Sequence, residues 1–314
     1  MGCNIYYFSG AYSQPLKRAE NTDQLFSVYL EKKLIINTIQ YKKDHPEYTG
    51  RIMVDSGAFS FYQQAKKKNK VITDDEMNTY VDDYIKFLNE YGKDIECFVA
   101  VDSVPDPNNV DQTYAQKTWD NYLYMYSKLN EDIRDKLIPV FHYGEDFKWL
   151  RNFLEYKHED GSHIAYIGLA ISLEGTKKVR ITWGQECMNI IAHSSNPDVK
   201  THAFGCTILR LLEEFPLTSA DSATWAISAA FGSVRIGDKS IVVSDRTVNK
   251  STNIVNKSAA HRQAVEDRIK ENGLTLKELQ EDPYLRQVMT VRELKRWEEN
   301  YKCTYQGVVK NDLW

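Results

Sequence analysis

The sequence predicts an α/β protein in which short buried strands alternate with amphipathic helices. Short apolar runs rich in β-branched and aromatic residues recur at residues 4–10, 51–57, 96–104, 136–144, 164–170, 200–207, 215–222 and 233–245. The stretches between them place apolar residues three and four positions apart, which indicates helices. Two examples are QLFSVYLEKKLIINTIQYKK (24–43) and DDEMNTYVDDYIKFLNEYG (74–92). Eight such strand and helix units are the number in a (β/α)8, or TIM, barrel.

Most of these runs stay apolar until a polar residue near the end. This pattern fits parallel strands that are buried on both faces and carry functional groups at their carboxyl ends. A doubly wound open sheet is the alternative architecture. It would require a glycine-rich first turn, and FSGAYSQP (8–15) is a poor match to one. The sequence therefore favours the barrel.

The pattern changes after residue 245, and we divide the chain there. Residues 1–245 form the predicted catalytic barrel, and residues 246–314 form a helical extension. Nucleic-acid binding and a solvated helical surface are the two interpretations of that extension. Its helix-start signals are two capping boxes and one N-cap followed by proline, namely Thr275 with Glu278, Thr290 with Glu293, and Asp282 with Pro283.

Composition limits the class of protein. The chain has 314 residues, of which 42% are hydrophobic and 27% charged, so it can bury one large core. Its 40 basic and 44 acidic residues give a net charge of -4, so any nucleic-acid partner must meet a local basic patch. Five scattered cysteines form no CxxC pair, which argues against a disulfide framework and a zinc site. With no signal sequence and no apolar span of ~20 residues, we expect a cytoplasmic protein without membrane contact, metal or cofactor.

The candidate site residues at the predicted strand ends would meet at one mouth of the barrel. They are Asp55, Asp102, His142, Gly168, His202, Phe204 and Asp221. Three acids at one mouth exceed what the stability of a barrel requires. Paired carboxylates suit exchange at a glycosidic bond, where one attacks the anomeric carbon and the other transfers a proton. Aromatic residues after Asp55, including Phe59, offer flat faces on which a base can stack.

The segment DSGAFSFY (55–62) resembles the DSGG(F/Y)Q segment of the tRNA-guanine transglycosylases. These enzymes exchange a guanine base for a 7-deazaguanine on a TIM barrel. Further segments resemble that family in collinear order, namely VAVDSVP (99–105), PVFHYG (139–144), YIGLAIS (166–172), HAFGCT (202–207) and LTSADSATW (217–225). The resemblance spans roughly residues 50–230.

The resemblance implies roles for individual residues. Asp221 would be the nucleophile that forms a covalent ribosyl intermediate, and Asp55 the general acid and base. Asp102 would accept from the N–H groups of the guanine edge. The remaining candidates for base binding are Ser56 and Gly57 beside the acid, Phe59 for stacking, Gly168 and Leu169 through their backbone, His142, and His202 with Phe204 on the opposite wall.

The chain also departs from the family. The CxCxxC zinc cluster is absent from the sequence, and His142 stands where the family has a base-reading glutamine. These departures favour the compact phage-type branch that inserts 7-deazaguanines into DNA. The expected partners are therefore DNA and a free 7-deazaguanine base, and the sequence leaves open whether two copies form a homodimer. A phage-encoded protein would work in the host cytoplasm.

Basic residues follow two of the predicted strands in what the sequence suggests are loops. Lys66, Lys67, Lys68 and Lys70 follow the Asp55 segment, and Lys177, Lys178 and Arg180 follow the Gly168 segment. Arg246 follows the last strand. We expect these residues to bind phosphates, although a lysine run also serves as a solubilising surface.

Three alternative functions remain open at this point. A tRNA-guanine transglycosylase of unusual size is the first. A glycoside hydrolase also fits two carboxylates and aromatic platforms on a barrel. The third is a non-catalytic nucleic-acid-binding barrel, against which the presence of both Asp55 and Asp221 argues.

Overall fold

A parallel sheet forms the centre of the protein. The computed structural model describes residues 5–103, 113–171, 176–206 and 208–305. Within these ranges the strands are β1 (Ile5–Ser9), β2 (Gln24–Ser27), β3 (Ile52–Asp55), β4 (Cys97–Val99), β5 (Leu137–Ile138), β6 (Val140–His142), β7 (Tyr166–Ala170), β8 (Lys200–Phe204), β9 (Ser219–Ser222), β10 (Ser233–Ile236) and β11 (Lys239–Val242). The first nine form one sheet in the order β5-β4-β3-β2-β1-β9-β8-β7-β6.

The two ends of this sheet meet at Pro139. Strands β5 and β6 are consecutive in the chain, and β5 pairs with β4 whereas β6 pairs with β7. Proline has no N–H to give to a ladder, so it interrupts what would be a single strand. Its carbonyl still accepts a hydrogen bond of 2.8 Å from the backbone N–H of Gly168. The sheet is therefore a nearly closed barrel with eight strand positions.

Helices surround the barrel. They are α1 (Gln14–Ala19), α2 (Val28–Asp44), α3 (Ala58–Lys67), α4 (Asp74–Tyr91), α5 (Thr113–Lys128), α6 (Lys148–Glu155), α7 (Lys177–Ala192), α8 (Leu209–Glu213), α9 (Thr224–Ala230), α10 (Ala259–Glu271), α11 (Leu276–Glu281) and α12 (Pro283–Glu299). The predicted (β/α)8 barrel with a helical extension is thus confirmed, and the doubly wound sheet is excluded.

Side chains alternate between the barrel interior and the layer under the helices. Tyr7, Met53, Val99, Val140 and Tyr166 share the interior cluster. Their neighbours in each strand belong to the larger outer cluster between sheet and helices. Because successive side chains of a strand point to opposite faces, this alternation fixes which strand-end residues face the mouth.

Two strand predictions are wrong, and the errors compensate. Residues 24–27 were expected to be helical but form β2, because Ser27 both ends that strand and precedes α2 with no turn between them. The run 233–245 was expected to be the eighth barrel strand. It forms instead the antiparallel hairpin β10–β11, which is separate from the barrel sheet.

The helical extension packs against the barrel through α12. Glu298 accepts a hydrogen bond of 2.9 Å from the backbone N–H of Tyr6 at the amino end of β1, and Arg292 pairs with Glu20 at 2.9 Å. The capping box of Thr275 with Glu278 is confirmed. Asp282 and Pro283 start α12 as predicted.

The capping box predicted for Thr290 and Glu293 is wrong. Both residues are buried in the middle of α12. They hold the β10–β11 hairpin, because the backbone N–H groups of Arg235 and Gly237 donate to their side chains at 3.2 and 3.1 Å. In the part of the chain that the structure describes, no helix has the length and apolar character needed to cross a membrane.

Candidate active site at the carboxyl ends of the strands

A cavity of about 290 Å³ opens at the carboxyl ends of the barrel strands. Six residues that the sequence predicted for the site line it, namely Asp55, Phe59, Asp102, His142, Phe204 and Asp221. Leu25, Val99, Val140, Ala170 and Gly205 complete the lining. The cavity therefore combines three carboxylates with an apolar floor and two aromatic rings.

Three donors fix the carboxylate of Asp221. Ser9 donates to Oδ2 at 2.5 Å, and the backbone N–H of Gly205 donates to Oδ1 at 2.9 Å. The Nε2 atom of His202 lies 3.2 Å from the same Oδ1. The partners come from β1, β8 and the turn after β8, which flank Asp221 on either side in the sheet. The side chain is held in one orientation and still lines the cavity.

His202 is fully buried beside Asp221 and does not line the cavity. Its Nδ1 lies 2.6 Å from the Ser219 hydroxyl, which is in turn hydrogen-bonded to the Tyr166 hydroxyl. One set of proton positions satisfies the whole chain: Tyr166 donates to Ser219, Ser219 donates to Nδ1, and Nε2–H donates to Asp221. His202 was expected to form a wall of the base pocket, but it contacts the predicted nucleophile instead.

The turn after β1 is braced so that Ser9 can reach Asp221. The carbonyl of Ser9 accepts a hydrogen bond of 3.1 Å from the indole N–H of Trp225. The carbonyl of Gly10 accepts one from the ammonium of Lys17, which is fully buried. Burial lowers the pKa of Lys17 to about 7, with the nearby carboxylate of Glu31 acting in the opposite direction. A lysine this deeply buried is a structural brace.

The DSG segment forms a turn around Asp55. The backbone N–H of Gly57 donates to the Asp55 carboxylate at 3.1 Å, as in an Asx turn. Gly57 has φ of 78°, and a side chain there would approach Ser27 Oγ and Tyr29 Cβ to 2.5 Å. Only glycine fits this position. It supports the acid and starts α3.

Asp55 is disposed to hold a proton near neutral pH. Burial raises its pKa to about 7, and the negative charges of Asp102 and, more weakly, Asp221 add to the effect. The hydrogen bond from Gly57 works against this rise. A carboxyl group with a pKa near 7 can give up and take back a proton during turnover.

His142 lies between two carboxylates. Its Nε2 is 2.8 Å from Asp102 Oδ2 and its Nδ1 is 3.0 Å from Glu145 Oε1. Burial opposes the charged form, but the hydrogen bonds to both carboxylates outweigh it and raise the pKa of His142 to about 9. The ring lines the cavity, as predicted, but both of its nitrogens are occupied by protein groups.

Two aromatic rings border the cavity. Phe59 lies in the first turn of α3 and is 56% exposed, so one face is open to a ligand. Phe204 packs edge-on against His202, with ring centroids 4.5 Å apart. A side chain at Gly168 would come within 2.3 Å of the Phe204 ring, so this glycine makes room for Phe204.

Two predicted residues point away from the cavity. Ser56 directly follows β3, is buried and does not line the cavity, and its hydroxyl accepts from the backbone N–H of Ala58 at 3.3 Å. Leu169 packs in the outer core cluster. Their side chains support α3 and the helix layer.

Five of the predicted basic residues lie on α3 and α7 rather than in loops, whereas Lys68 and Lys70 follow the end of α3 and Arg246 lies in a short 3-10 turn. Lys66 and Lys67 end α3 and Lys68 caps it, and all three are exposed. Lys70 is exposed and pairs with Glu76. Lys177, Lys178 and Arg180 lie in the first turn of α7, where Lys178 is exposed, and Arg246 is an exposed residue after the hairpin.

Sequence reasoning missed three groups at the site: Ser9, Glu145 and the backbone N–H of Gly205. Ser9 and Gly205 lie within the predicted strand-end segments 4–10 and 202–207, but the sequence pattern predicted no role for them. Glu145 had a usable signal, because it follows His142 after a Tyr-Gly pair that favours a tight turn.

Comparisons with known proteins add no assignment. A scan against protein-family models and a search of curated proteins both give no match. Among residues 5–103, 113–171, 176–206 and 208–305, no group of three or more histidine, cysteine, aspartate or glutamate side chains could hold a metal ion. The site must therefore be interpreted from its own geometry.

Proposed function

We propose that this protein is a base-exchange transglycosylase that replaces guanine in DNA with a 7-deazaguanine base. The observation that carries the proposal is the pair Asp55 and Asp221 in one cavity, in different environments. Asp221 is fixed by three donors, whereas burial raises the pKa of Asp55 to about 7. One carboxylate suits a nucleophile and the other a proton carrier.

The chemistry needs only these two groups and the incoming base. A carboxylate oxygen of Asp221 attacks C1′ of the target nucleotide, and the bond from C1′ to N9 of guanine breaks. The proton of Asp55 passes to the departing guanine, which leaves as the neutral base. The ionised Asp55 then takes the N9 proton of the 7-deazaguanine, whose N9 attacks C1′ and releases Asp221.

The aromatic rings and the apolar floor suit a flat heterocycle. Stacking of a base on a ring such as Phe59 contributes about 1 to 3 kcal/mol. The cavity of about 290 Å³ has room for one such base. Asp102 lines the same cavity and supplies an acceptor for the N–H groups of a guanine edge.

DNA is preferred to tRNA on the basis of the sequence departures from the tRNA enzymes. A target guanine in a duplex must leave the stack, which costs a few kcal/mol. Exposed lysines lie at the end of α3, which follows β3, and at the start of α7, which follows β7; they are Lys66, Lys67, Lys68 and Lys178. Their contacts with phosphates would offset this cost.

The deciding experiment is base exchange with labelled 7-cyano-7-deazaguanine. Duplex DNA, single-stranded DNA and tRNA are offered in parallel to the wild type and to Asp221→Asn. We expect label in DNA with the wild type, and with Asp221→Asn no label and no trapped protein–DNA adduct. The amide is nearly isosteric with the carboxylate, so an unchanged melting temperature confirms that the variant is folded.

Other outcomes redirect the assignment. Label only in tRNA would make the protein a tRNA-guanine transglycosylase. Absence of label in every nucleic acid, with release of sugar from aryl glycosides, would favour a glycoside hydrolase. Full exchange by Asp221→Asn would remove that residue from the nucleophile role.

A further inference from the structure

The strongest feature that the proposed mechanism leaves unused is the contact of His142 with two carboxylates. His142 and Glu145 are 6% and 8% exposed, so water competes little with these contacts. Asp102 lies three residues after the end of β4, and Glu145 lies in the turn after β6. Among the described residues, these two supply the ionisable groups within hydrogen-bonding distance of the ring.

The turn that brings Glu145 back to His142 is encoded locally. Gly144 has φ of 95°, a conformation that glycine adopts readily. The backbone N–H of Glu145 donates to the carbonyl of His142 at 3.2 Å, which closes the turn. The Glu145 carboxylate then accepts from both the backbone N–H of His142, at 2.9 Å, and its ring. Glu145 therefore fixes the orientation of the ring.

With Asp102 and Glu145 both ionised, both ring contacts can be hydrogen bonds only if the imidazole carries two protons. A neutral imidazole donates from one nitrogen and presents a lone pair at the other. With a neutral ring, either Asp102 or Glu145 would face that lone pair at about hydrogen-bonding distance. An imidazolium donates to both carboxylates and leaves the group of three with one net negative charge.

We propose that Glu145 and His142 act as positioning residues that present Asp102 to the ligand as an ionised acceptor. This inference rests on the proposed function, in which Asp102 accepts from the N–H groups of the incoming base. His142 uses one acceptor position at Oδ2, and an ionised carboxylate has about four. The arrangement keeps Asp102 charged beside Asp55, which carries the proton.

The test compares Glu145→Gln and His142→Asn with the wild type and with Glu186→Gln. The last variant makes the same chemical change at an exposed glutamate on α7, outside the cavity lining. We expect Glu145→Gln to raise the KM for the free base about 10- to 100-fold, because Asp102 loses its fixed, charge-assisted partner. The kcat at saturating base should stay within a few fold, and Glu186→Gln should resemble the wild type.

A second readout does not depend on activity. In ¹⁵N NMR of the wild-type protein at pH 7.5, both ring nitrogens of His142 should carry protons, and Glu145→Gln should shift the ring toward the neutral form. A neutral His142 in the wild type would overturn the inference, as would an unchanged KM in Glu145→Gln. If the wild type exchanges no base but shows the imidazolium signal of His142, the proposed function is wrong. The charged state of the group formed by His142, Asp102 and Glu145 would still be confirmed.

Discussion

Two aspartates that line the cavity are each paired with a histidine, and the two pairs are built differently. His202 contacts Asp221 with one nitrogen and the Ser219 hydroxyl with the other, so a neutral ring satisfies both contacts. His142 contacts Asp102 with one nitrogen and Glu145 with the other, and two ionised carboxylates require a charged ring. A hydroxyl in one pair thus occupies the place that a carboxylate occupies in the other.

This difference separates the chemistry of the two aspartates. In the assignment with a neutral His202, the three donors to Asp221 among the described residues are uncharged, and in that part of the chain no cation contacts its carboxylate. That suits a group that must attack carbon. Asp102 is bound to a cation, which suits a group that must stay ionised and oriented while a ligand binds. In the proposed mechanism Asp55, whose pKa is raised by its burial and by both charges, carries the mobile proton.

The largest expected effect comes from Asp55, on which both pairs act. We expect Asp55→Asn to reduce kcat on the order of 10²- to 10⁴-fold, the usual contribution of a positioned acid or base. In the wild type the alkaline limb of the rate of guanine release should lie near pH 7, because the protonated form is lost there. A rate that stays constant from pH 6 to 9 would remove Asp55 from the acid role.

The same substitution should stabilise the fold above neutral pH. The folded protein holds the Asp55 proton more tightly than the unfolded chain does, so stability falls as pH rises from ~4 to ~7. Asparagine has no charge to bury, so at pH 8 the free energy of unfolding should rise by roughly 2 to 4 kcal/mol. Thermal unfolding at pH 4 and pH 8 measures this, and a gain of equal size at both pH values would contradict it.

The sequence was sufficient to predict the meeting of six cavity residues. Strands that are apolar up to a polar end must be parallel and buried, and their carboxyl ends share one face of a barrel. Asp55, Asp102 and Asp221 follow from that rule. The barrel prediction was still correct despite two wrong strand assignments. The sequence analysis missed β2 and counted residues 233–245 as a barrel strand, so the predicted number of strands remained eight.

What the sequence could not give is the pairing of side chains within that face. The roles of His142 and His202 depend on which carboxylate or hydroxyl reaches each nitrogen, and the partners lie 3 to 40 positions away in the chain. Lys17 shows the same limit, because it is charged in the sequence and fully buried in the fold. Helix periodicity does not reveal a lysine whose ammonium binds a carbonyl.

A smaller effect should follow from loosening the Asp221 pair. Ser9→Ala removes the donor to Oδ2 and leaves the Gly205 and His202 contacts. Misplacement of a reacting group is costly, so the rate of covalent adduct formation should fall on the order of 10-fold. Ser222→Ala is the matched control, since that hydroxyl accepts from the backbone N–H of Thr224 outside the cavity lining. Equal rates in both variants would show that Ser9 does not orient the nucleophile.

The smallest expected effect concerns the path by which a DNA strand reaches the two aspartate–histidine pairs. Lys66, Lys67 and Lys68 end the helix after β3, which pairs with β4 on the Asp102 side. Lys178 begins the helix after β7, which pairs with β8 on the Asp221 side. If single-stranded DNA lies along the Asp102 side, replacing the three lysines with alanine should reduce the slope of log K against log salt by about 2.

The control for this measurement tests the extension. Lys257, Lys270 and Lys277 are exposed in the carboxyl-terminal helical region, and replacing them removes the same three charges. Lys178→Ala should reduce the slope by about 0.7, a single phosphate contact. If only the extension variant changes the slope, the nucleic acid binds the carboxyl-terminal helices instead. Such a result would contradict phosphate binding by Lys66 or Lys178 beside the two aspartate–histidine pairs. Comparing the change in slope among the three variants therefore shows from which side the DNA strand enters the cavity.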